Sequence, residues 1–445
     1  MLIKLYPAIT AVATPALRLF LQRRLRRGKE DAARLPERTG NPSQERPSGP
    51  LIWLHGASVG EAQSALPLIA RLQSLRLGEG EGEAGSPPNI LITTGTVTSA
   101  KLMAQKLPAP AIHQMIPLDA LPWVRRFLDH WSPDLVLWLE SELWPNWLGE
   151  LERRGIPTLL VNARMKPKSF RFWQKHPKTI AHIGRGFAAT LAQSEPDAAR
   201  YRAMNFPNVS CPGNLKFAAP PLPADPEKLA ALQAVIGERP VIAFVSTHAG
   251  EELLAARVHQ YLKNELPELL TIIAPRHPNR GNEIVAELAS GQPDLNVAQR
   301  SAGAMPTATT DLYLADTMGE VGLWYRLAAV GVMGGSFIPF GGHNPLEGLL
   351  LGCPMLCGQH MFAFEEMTAN MVAAGAGIVN PDERSLRAEL LNLLQSPKRH
   401  GEMADAALAF AVSEAGVLDR LMAIFDPYLQ RLGKLHHASN PSKPL

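Results

Sequence analysis

The sequence predicts an α/β protein with two doubly wound parallel sheets, preceded by a short apolar segment. Its 445 residues are too many for one ordinary core and favour two domains of about 200 residues each. Short apolar runs alternate with helical stretches in both halves, as in parallel strands joined by crossover helices. A proline-rich stretch at residues 218–227 separates the two series and is the predicted interdomain linker.

Composition excludes several classes of protein. Hydrophobic residues make up 46% of the chain, which suits large cores and is too high for an intrinsically disordered protein. The 44 Lys and Arg residues nearly balance 41 Asp and Glu residues, so nucleic acid is not an expected partner. The three Cys residues lack zinc-finger spacing, which indicates a reducing compartment and argues against a disulfide framework or a structural metal site.

Residues 1–27 are predicted to form a membrane anchor or interfacial helix. The apolar stretch Leu2–Leu21 is about twenty residues long, just enough to cross a bilayer. Two internal charges and two prolines make it marginal as a span, and it suits the membrane interface equally well. The arginines that follow favour an uncleaved anchor with the bulk of the chain on the cytoplasmic side. A buried N-terminal helix and a cleaved signal peptide are the alternatives.

Eight apolar runs are the predicted strands of the two sheets. They lie at residues 51–54, 90–92, 135–139 and 158–161 in the first half, and at 241–245, 270–273, 311–314 and 329–332 in the second. The carboxyl ends of parallel strands meet at one edge, so the polar loops that follow them are candidate ligand sites. We expect the two halves to present these edges to a shared cleft.

Polar motifs follow the strands of the first half. The HGASVGE motif places Glu61 near a helix N-terminus, where the helix dipole favours the ionised form of a base. Glu140 and Glu142 of the ESELWP motif end the most apolar strand, and the NAR motif, residues 162–164, follows the next one. Lys216 of GNLKF is a candidate cation for a phosphate or a developing anion. A first-turn acid, a capping residue and a solvated lysine are the ordinary alternatives.

The second half carries four polar loops after strands: STHAGEE, APRHPNR, DTMGE and GGSFIPFGGHNPLEG. Glycine pairs in the last loop allow a ligand to approach the backbone closely, and Pro345 suits the first turn of a helix. Glu347 can then accept hydrogen bonds from vicinal hydroxyls such as those of a ribose. His277 and His343 lack a third spaced ligand, so we predict no metal site from them. Plain polar connections are the alternative for these loops.

Taken in order, the motifs HGASVGE, LESELWPN, NARM, GNLKF, STHAGEE, APRHPNR, DTMGE and GGSFIPFGGHNPLEG strongly resemble those of the 3-deoxy-D-manno-octulosonic acid (Kdo) transferases of lipopolysaccharide synthesis. The resemblance runs to about residue 430. It implies the GT-B glycosyltransferase architecture, two facing Rossmann-like domains, at the cytoplasmic face of the cell inner membrane. The implied activity is transfer of Kdo from CMP-Kdo to a lipid A precursor (lipid IVA), with release of CMP.

The resemblance also implies a domain order and residue roles. The order is the anchor at 1–27, an acceptor-binding domain at 28–217, the linker at 218–227, a CMP-Kdo-binding domain at 228–430 and a flexible tail at 431–445. Glu61 matches the general base, and Glu140 and Lys216 match transition-state stabilisers. The matched CMP contacts are Pro275, Arg276, Met318, Gly319, Glu320, Asn344, Pro345, Leu346 and Glu347.

The chemistry of such a transfer requires no cofactor. CMP carries one phosphate and the chain has no Asp-x-Asp motif, so we expect metal-independent, inverting transfer by a single displacement. The expected partners are the CMP-Kdo donor, the lipid A precursor and the inner membrane surface. Two alternatives are a membrane-tethered protein that binds a ligand without chemistry, and a GT-B transferase or epimerase that uses a UDP-linked sugar.

Overall fold

The structure is a computed structural model that describes residues 2–77, 85–218 and 221–438. These residues form two compact units. The first contains residues 2–218 together with those from 416 onward, and the second contains residues 221–415.

The first unit is built on a parallel sheet with the strand order β3-β2-β1-β4-β5-β6-β7. Its strands are β1 (Leu51–His55), β2 (Asn89–Thr94), β3 (Ile112–Met115), β4 (Leu135–Leu139), β5 (Thr158–Ala163), β6 (Ala189–Ala192) and β7 (Val209–Ser210). The four predicted strands are confirmed as β1, β2, β4 and β5. The shorter β3, β6 and β7 were not predicted, because they carry few consecutive apolar residues.

Helices cover both faces of this sheet. They are α1 (Leu2–Val12), α2 (Thr14–Arg26), α3 (Val59–Gln73), α4 (Val97–Lys106), α5 (Leu121–Trp131), α6 (Pro145–Arg153), α7 (Pro167–Gln174), α8 (Pro177–Gly184) and α9 (Glu195–Ala203). Alternate residues of a strand point to opposite faces, so β1 sends Ile52 and Leu54 into one core and Leu51 and Trp53 into the other. The second core is rich in indole rings, with Trp53 and Trp147 5.1 Å apart between ring centroids.

The second unit has its own parallel sheet, in the order β10-β11-β9-β8-β12-β13-β14. Its strands are β8 (Val241–Thr247), β9 (Leu270–Pro275), β10 (Val297–Gln299), β11 (Leu312–Leu314), β12 (Val330–Met333), β13 (Met355–Cys357) and β14 (Gly377–Val379). Its helices are α10 (Pro226–Ile236), α11 (Glu251–Leu262), α12 (Gly281–Gly291), α13 (Val321–Leu327), α14 (Leu346–Leu349), α15 (Glu365–Ala373), α16 (Glu383–Gln395) and α17 (Pro397–Ala415). The predicted α/β class with two parallel sheets is therefore confirmed.

The last helix, α18 (Val417–Ala438), returns to the first unit. Val417, Leu421, Phe425, Leu429 and Leu432 form a buried stripe in the same core as β1 and α3. The sequence predicts that the second domain ends at residue 430 and that a tail covers 431–445, whereas the structure assigns α18 to the first unit. The physical reason is that the apolar stripe of α18 is buried in the core of the first sheet. Residues 439–445 of the predicted tail and 219–220 of the predicted linker lie outside the described residues.

The N-terminal segment forms two short helices, of 11 residues in α1 and 13 in α2. α1 packs on α5 and α6, and Asn146 of α6 donates a hydrogen bond to Thr10 at 2.9 Å. Within the described part of the chain, we find no helix with the length and apolar content needed to cross a membrane.

Candidate active site

Glu61 lies at the start of α3, immediately after the carboxyl end of β1. Ser58 caps the helix, and its hydroxyl donates to Glu61 Oε1 at 2.7 Å. The backbone N–H of Ala57 donates to Oε2 at 2.7 Å, so both carboxylate oxygens are held. A Cβ on Gly56 would stand 3.1 Å from Glu61 Cβ, so the glycine lets the helix start close to the strand. The HGASVGE motif thus fixes the position of the Glu61 carboxylate.

Burial dominates the electrostatics of Glu61. It raises the pKa of the carboxyl, the Ser58 hydroxyl lowers that pKa by bonding to the charged form, and Glu140 raises it again. A raised pKa makes the ionised form of this carboxylate a stronger base, as a general base requires.

Glu140 follows β4 in the left-handed region, with φ of +59°. Its backbone N–H donates to the Val161 carbonyl at 3.0 Å, so this turn is tied to β5. Burial raises the pKa of Glu142, and Glu61 and then Glu140 raise it further. The carboxyl groups of Glu61, Glu140 and Glu142 therefore lie close enough to interact at one sheet edge.

Lys216 brings a positive charge to these carboxylates. Its Nζ lies 3.6 Å from Glu140 Oε1, and its short 3₁₀ turn, Leu215–Phe217, is capped by Asn214. Asn162, buried and at φ of +55°, accepts a hydrogen bond from the Leu215 N–H at 2.8 Å. The NAR and GNLKF motifs are thus joined, and Glu61, Glu140 and Lys216 come together within the first unit. Arg164 of the NAR motif is exposed instead.

His55 is the last residue of β1 and is fully buried, with its Nδ1 3.0 Å from the Thr93 hydroxyl. Burial lowers the pKa of its imidazole to about 3, so the ring is neutral at physiological pH. Its ring centroid lies 4.4 Å from that of Trp138 on β4. We interpret His55 as a packing residue that supports the strand ends.

In the second unit, Arg276 follows β9 and Glu347 lies in α14. Pro275 is the buried last residue of β9, and the exposed Arg276 donates from its N–H to the Thr247 carbonyl at 2.9 Å. Burial raises the pKa of Glu347 and the charge of Arg276 lowers it, so these two predicted contacts are close enough to interact.

The NPLE turn is held by a side-chain hydrogen bond at its start. The Asn344 side-chain oxygen accepts from the Leu346 N–H at 3.2 Å, and Pro345 immediately precedes the four-residue helix α14. Leu346 is buried, so its side chain is unavailable to a ligand.

The MGE loop after β11 is organised separately. Gly319 has φ of +78°, and Met318 is 76% exposed. Two bonds from Arg300, the shorter at 2.5 Å, and one from Lys228 at 2.8 Å hold the Glu320 carboxylate and lower its pKa to about 2. Among the described residues, no hydrogen bond or ion pair joins this loop to the NPLE turn.

A metal ion finds no ready-made site in the described residues, where no three His, Cys, Asp or Glu side chains are grouped to hold one.

Comparison with known proteins identifies the family. Residues 33–219 match the family model described as 3-deoxy-D-manno-octulosonic-acid transferase (kdotransferase). The 3-deoxy-D-manno-octulosonic acid transferase of Rickettsia bellii is 32% identical over 436 residues, covering 97% of this chain and 99% of the relative. The chain belongs to the Kdo transferase family. The Haemophilus influenzae transferase is 30% identical over 96% of this chain and 98% of its own.

Solved structures of other proteins share the fold of this Kdo transferase family member. The UDP-GlcNAc 2-epimerase of Neisseria meningitidis matches 85% of this chain and 100% of its own, with a TM-score of 0.56 and 14% identity. A glycosyltransferase from Rickettsia africae matches 86% of this chain and 100% of its own, with a TM-score of 0.53 and 12% identity. These likenesses confirm the predicted GT-B class of fold, and the family supports Kdo transfer as the activity.

Sequence reasoning did not predict the positioning roles of three residues in this Kdo transferase family member. Ser58 and Asn162 hold Glu61 and the Lys216 turn, and Arg300 holds Glu320. The S-x-x-E spacing of Ser58 and Glu61 is a capping signal that was available in the sequence. The NAR motif marked Asn162 as a polar residue after β5 but did not predict its bond to Leu215, and Arg300 carried no local signal.

Proposed function

We propose that this chain transfers Kdo from CMP-Kdo to a lipid A precursor (lipid IVA) with inversion at the anomeric carbon, releasing CMP. The observation that carries the proposal is the grouping of Glu61, Glu140 and Lys216 at one sheet edge, with Lys216 Nζ 3.6 Å from Glu140. A base, a second carboxylate and a cation are the groups that a displacement at a sugar carbon requires.

Glu61 acts as the general base in this proposal. Its carboxylate takes the proton of the acceptor hydroxyl as the hydroxyl oxygen bonds to the anomeric carbon of Kdo. The bond from that carbon to the CMP phosphate breaks in the same step, and its electron pair stays on the phosphate. The bonds from Ser58 and Ala57 keep the base ionised and oriented before the reaction. Glu140 faces the positive charge that develops on the sugar, and Lys216 limits the repulsion among the carboxylates.

Arg276 and Glu347 divide the recognition of the donor nucleotide. Arg276 is exposed at the carboxyl end of β9 and offers a fixed positive charge to the phosphate. Glu347 offers carboxylate oxygens to the ribose hydroxyls.

We also propose the cytoplasmic face of the inner membrane as the place of action. Leu5, Ile9, Val12, Leu19 and Phe20 are large apolar side chains left exposed on α1 and α2. The arginines at 23, 24, 26 and 27 follow them, a composition that suits a helix in the interface of an anionic bilayer.

α7 adds a second basic surface to the same unit. Phe172 is 55% exposed there, between Lys168, Arg171 and Lys175. The sequence has no Asp or Glu from residue 153 to 194. This surface supports contact with anionic headgroups.

The test is a product assay with CMP-Kdo and a tetraacylated lipid A precursor in the presence of EDTA, with lipids resolved by mass spectrometry. We expect a gain of one or more Kdo units. Glu61→Gln should lower the rate by a factor of roughly 10² to 10⁴ while CMP affinity stays the same.

Glu195→Gln is the matched control, because Glu195 is a glutamate of the same unit that pairs with the surface residue Arg202. Wild-type rate in Glu61→Gln would overturn the base assignment. A product that forms from UDP-linked sugars but not from CMP-Kdo would overturn the donor.

A further inference from the structure

Three histidines follow three neighbouring strands of the second unit. His248 follows β8, His277 follows β9, and His343 lies in the glycine-rich loop after β12, with β8 between β9 and β12. All three stand at the carboxyl ends of their strands, the edge at which parallel sheets bind ligands. The transfer step described above uses none of them.

His248 and His343 form a hydrogen-bonded pair. Their rings are parallel within 2°, with centroids 5.2 Å apart, and the two Nε2 atoms are 2.9 Å apart. One Nε2 must carry a hydrogen and the other must accept it, which sets both tautomers. The accepting ring then carries its single N–H hydrogen on Nδ1, while the Nδ1 of the donating ring is bare.

Both Nδ1 atoms are available to a ligand. Within the described residues, no side chain or backbone group forms a hydrogen bond with either of them. One added proton on the bare Nδ1 makes the pair cationic and turns both Nδ1 atoms into donors. The bond between the Nε2 atoms survives this change.

Glu251 fixes the two loops that carry the pair. Its carboxylate accepts from the N–H of His248 at 3.0 Å, of Gly335 at 2.6 Å and of Phe337 at 3.1 Å. Gly335 has φ of +67°, and a Cβ there would stand 3.4 Å from the Cδ2 atoms of both His248 and His343. The glycine and the buried carboxylate therefore hold the pair in place before any ligand binds.

The charges that act on the pair are positive. The pKa of His343 is lowered to about 4. Burial is the largest cause, and the neighbouring His248, Arg276 and His277 lower it further. Burial is also the largest cause that lowers the pKa of His248, and the neighbouring His277, Arg276 and Arg280 lower it further.

The carboxylates nearest the pair are already engaged. Three backbone N–H groups hold Glu251, and Thr247 and Arg280 bond to Glu252. Glu347 interacts with Arg276. The pair is thus neutral near pH 7 in surroundings that favour an anion.

We propose that His248 and His343 are a phosphate clamp that takes up one proton from solvent when the donor nucleotide binds, so that both Nδ1 atoms donate to phosphate oxygens. The inference rests on the proposed function, because the phosphate is that of the CMP-linked donor. Arg276 and Asn344, predicted CMP contacts, adjoin His277 and His343 in the sequence. The added proton balances the negative charge that the phosphate gains when its bond to the sugar breaks.

The experiment is calorimetric titration of the full chain with CMP at pH 8 in two buffers of different ionisation enthalpy. CMP is a dianion at that pH, because the second pKa of a phosphate monoester is about 6. We expect uptake of about one proton for each CMP bound. Cytidine, which lacks the phosphate, should bind without proton uptake.

Variants separate the clamp from a structural role. His248→Gln and His343→Gln should each abolish proton uptake and weaken CMP binding about tenfold, while cytidine binding is unchanged. His400→Gln is the matched control, because His400 is a half-buried histidine of the same unit, bonded to the Ala329 carbonyl before β12. Thermal melting curves identify any variant that does not fold.

The outcomes are distinguishable. CMP binding without proton uptake by the wild-type chain, or equal losses for CMP and cytidine in both folded variants, overturns the clamp and leaves the proposed donor standing. A wild-type chain that binds UDP but not CMP overturns both.

Discussion

The hydroxyl of Ser58 sets the pH range in which Glu61 works as a base. It donates to Glu61 Oε1 at 2.7 Å and thereby favours the ionised carboxylate. In Ser58→Ala the carboxylate keeps the Ala57 N–H bond, also 2.7 Å, but loses the hydroxyl bond. The pKa of Glu61, already raised by burial, should rise further.

The size of the rise follows from the strength of that bond. A hydrogen bond to a charged group contributes about 1.5–3 kcal/mol, and 1.36 kcal/mol corresponds to one pKa unit. Ser58 is exposed, so water replaces part of the lost bond, and we expect a rise of about one unit. The base acts only when ionised. The acidic limb of the rate profile should therefore move to higher pH by about one unit, with the plateau above it nearly unchanged.

The assay is kcat/KM for Kdo transfer from about pH 5 to about pH 9 in wild type and Ser58→Ala. Ser64→Ala is the matched control, because the Ser64 hydroxyl donates to the Gly60 carbonyl of the same helix at 2.8 Å and does not touch the carboxylate. An acidic limb that stays in place in Ser58→Ala, or that moves as far in Ser64→Ala, refutes the reasoning.

Three further predictions concern positioning, folding and the membrane. Asn162→Ala leaves the Leu215 N–H without its acceptor, so Lys216 loses its fixed position, and steady-state kinetics should show kcat reduced about tenfold with an unchanged KM for the donor. A roughly tenfold increase in the KM for the donor would contradict this role. Phe425→Ala should lower the free energy of unfolding by about 3–5 kcal/mol in urea, because the ring is fully buried, and a loss below about 1 kcal/mol would show that α18 does not belong to that core. Replacing exposed Leu19 and Phe20 by Ser should reduce co-sedimentation with anionic vesicles about tenfold, and unchanged binding would exclude α2 as the contact.

Much of the fold was predictable from short-range pattern. The strands β1, β4, β5, β8 and β9 are runs of apolar residues buried on both faces, and such runs are visible in the sequence. The strands that were missed have only two to four residues, and several of them, such as β7 and β14, also carry half-buried side chains. Their strand conformation depends on the neighbouring strand that they pair with.

The placement of Glu61 was also predictable, because it depends on a strand, a glycine and a helix cap within a few residues. The approach of Lys216 to Glu140 joins residues 76 positions apart in the numbering, and the bond from Leu215 to Asn162 spans 53. No local pattern specifies such pairs, so the motifs predicted which residues are functional but not which residues they contact.

Local sequence was thus enough to specify the α/β class, most central strands and the residues that carry the proposed chemistry, since these follow from apolar periodicity and from side-chain type. Long-range packing settled the rest. It assigned α18 to the first unit, placed Asn162 behind the Lys216 turn, and set His248 against His343 across 95 positions. The physical reason is that burial and hydrogen bonding stabilise contacts between surfaces that are complementary in space. The number of residues between those surfaces in the sequence has no part in that complementarity.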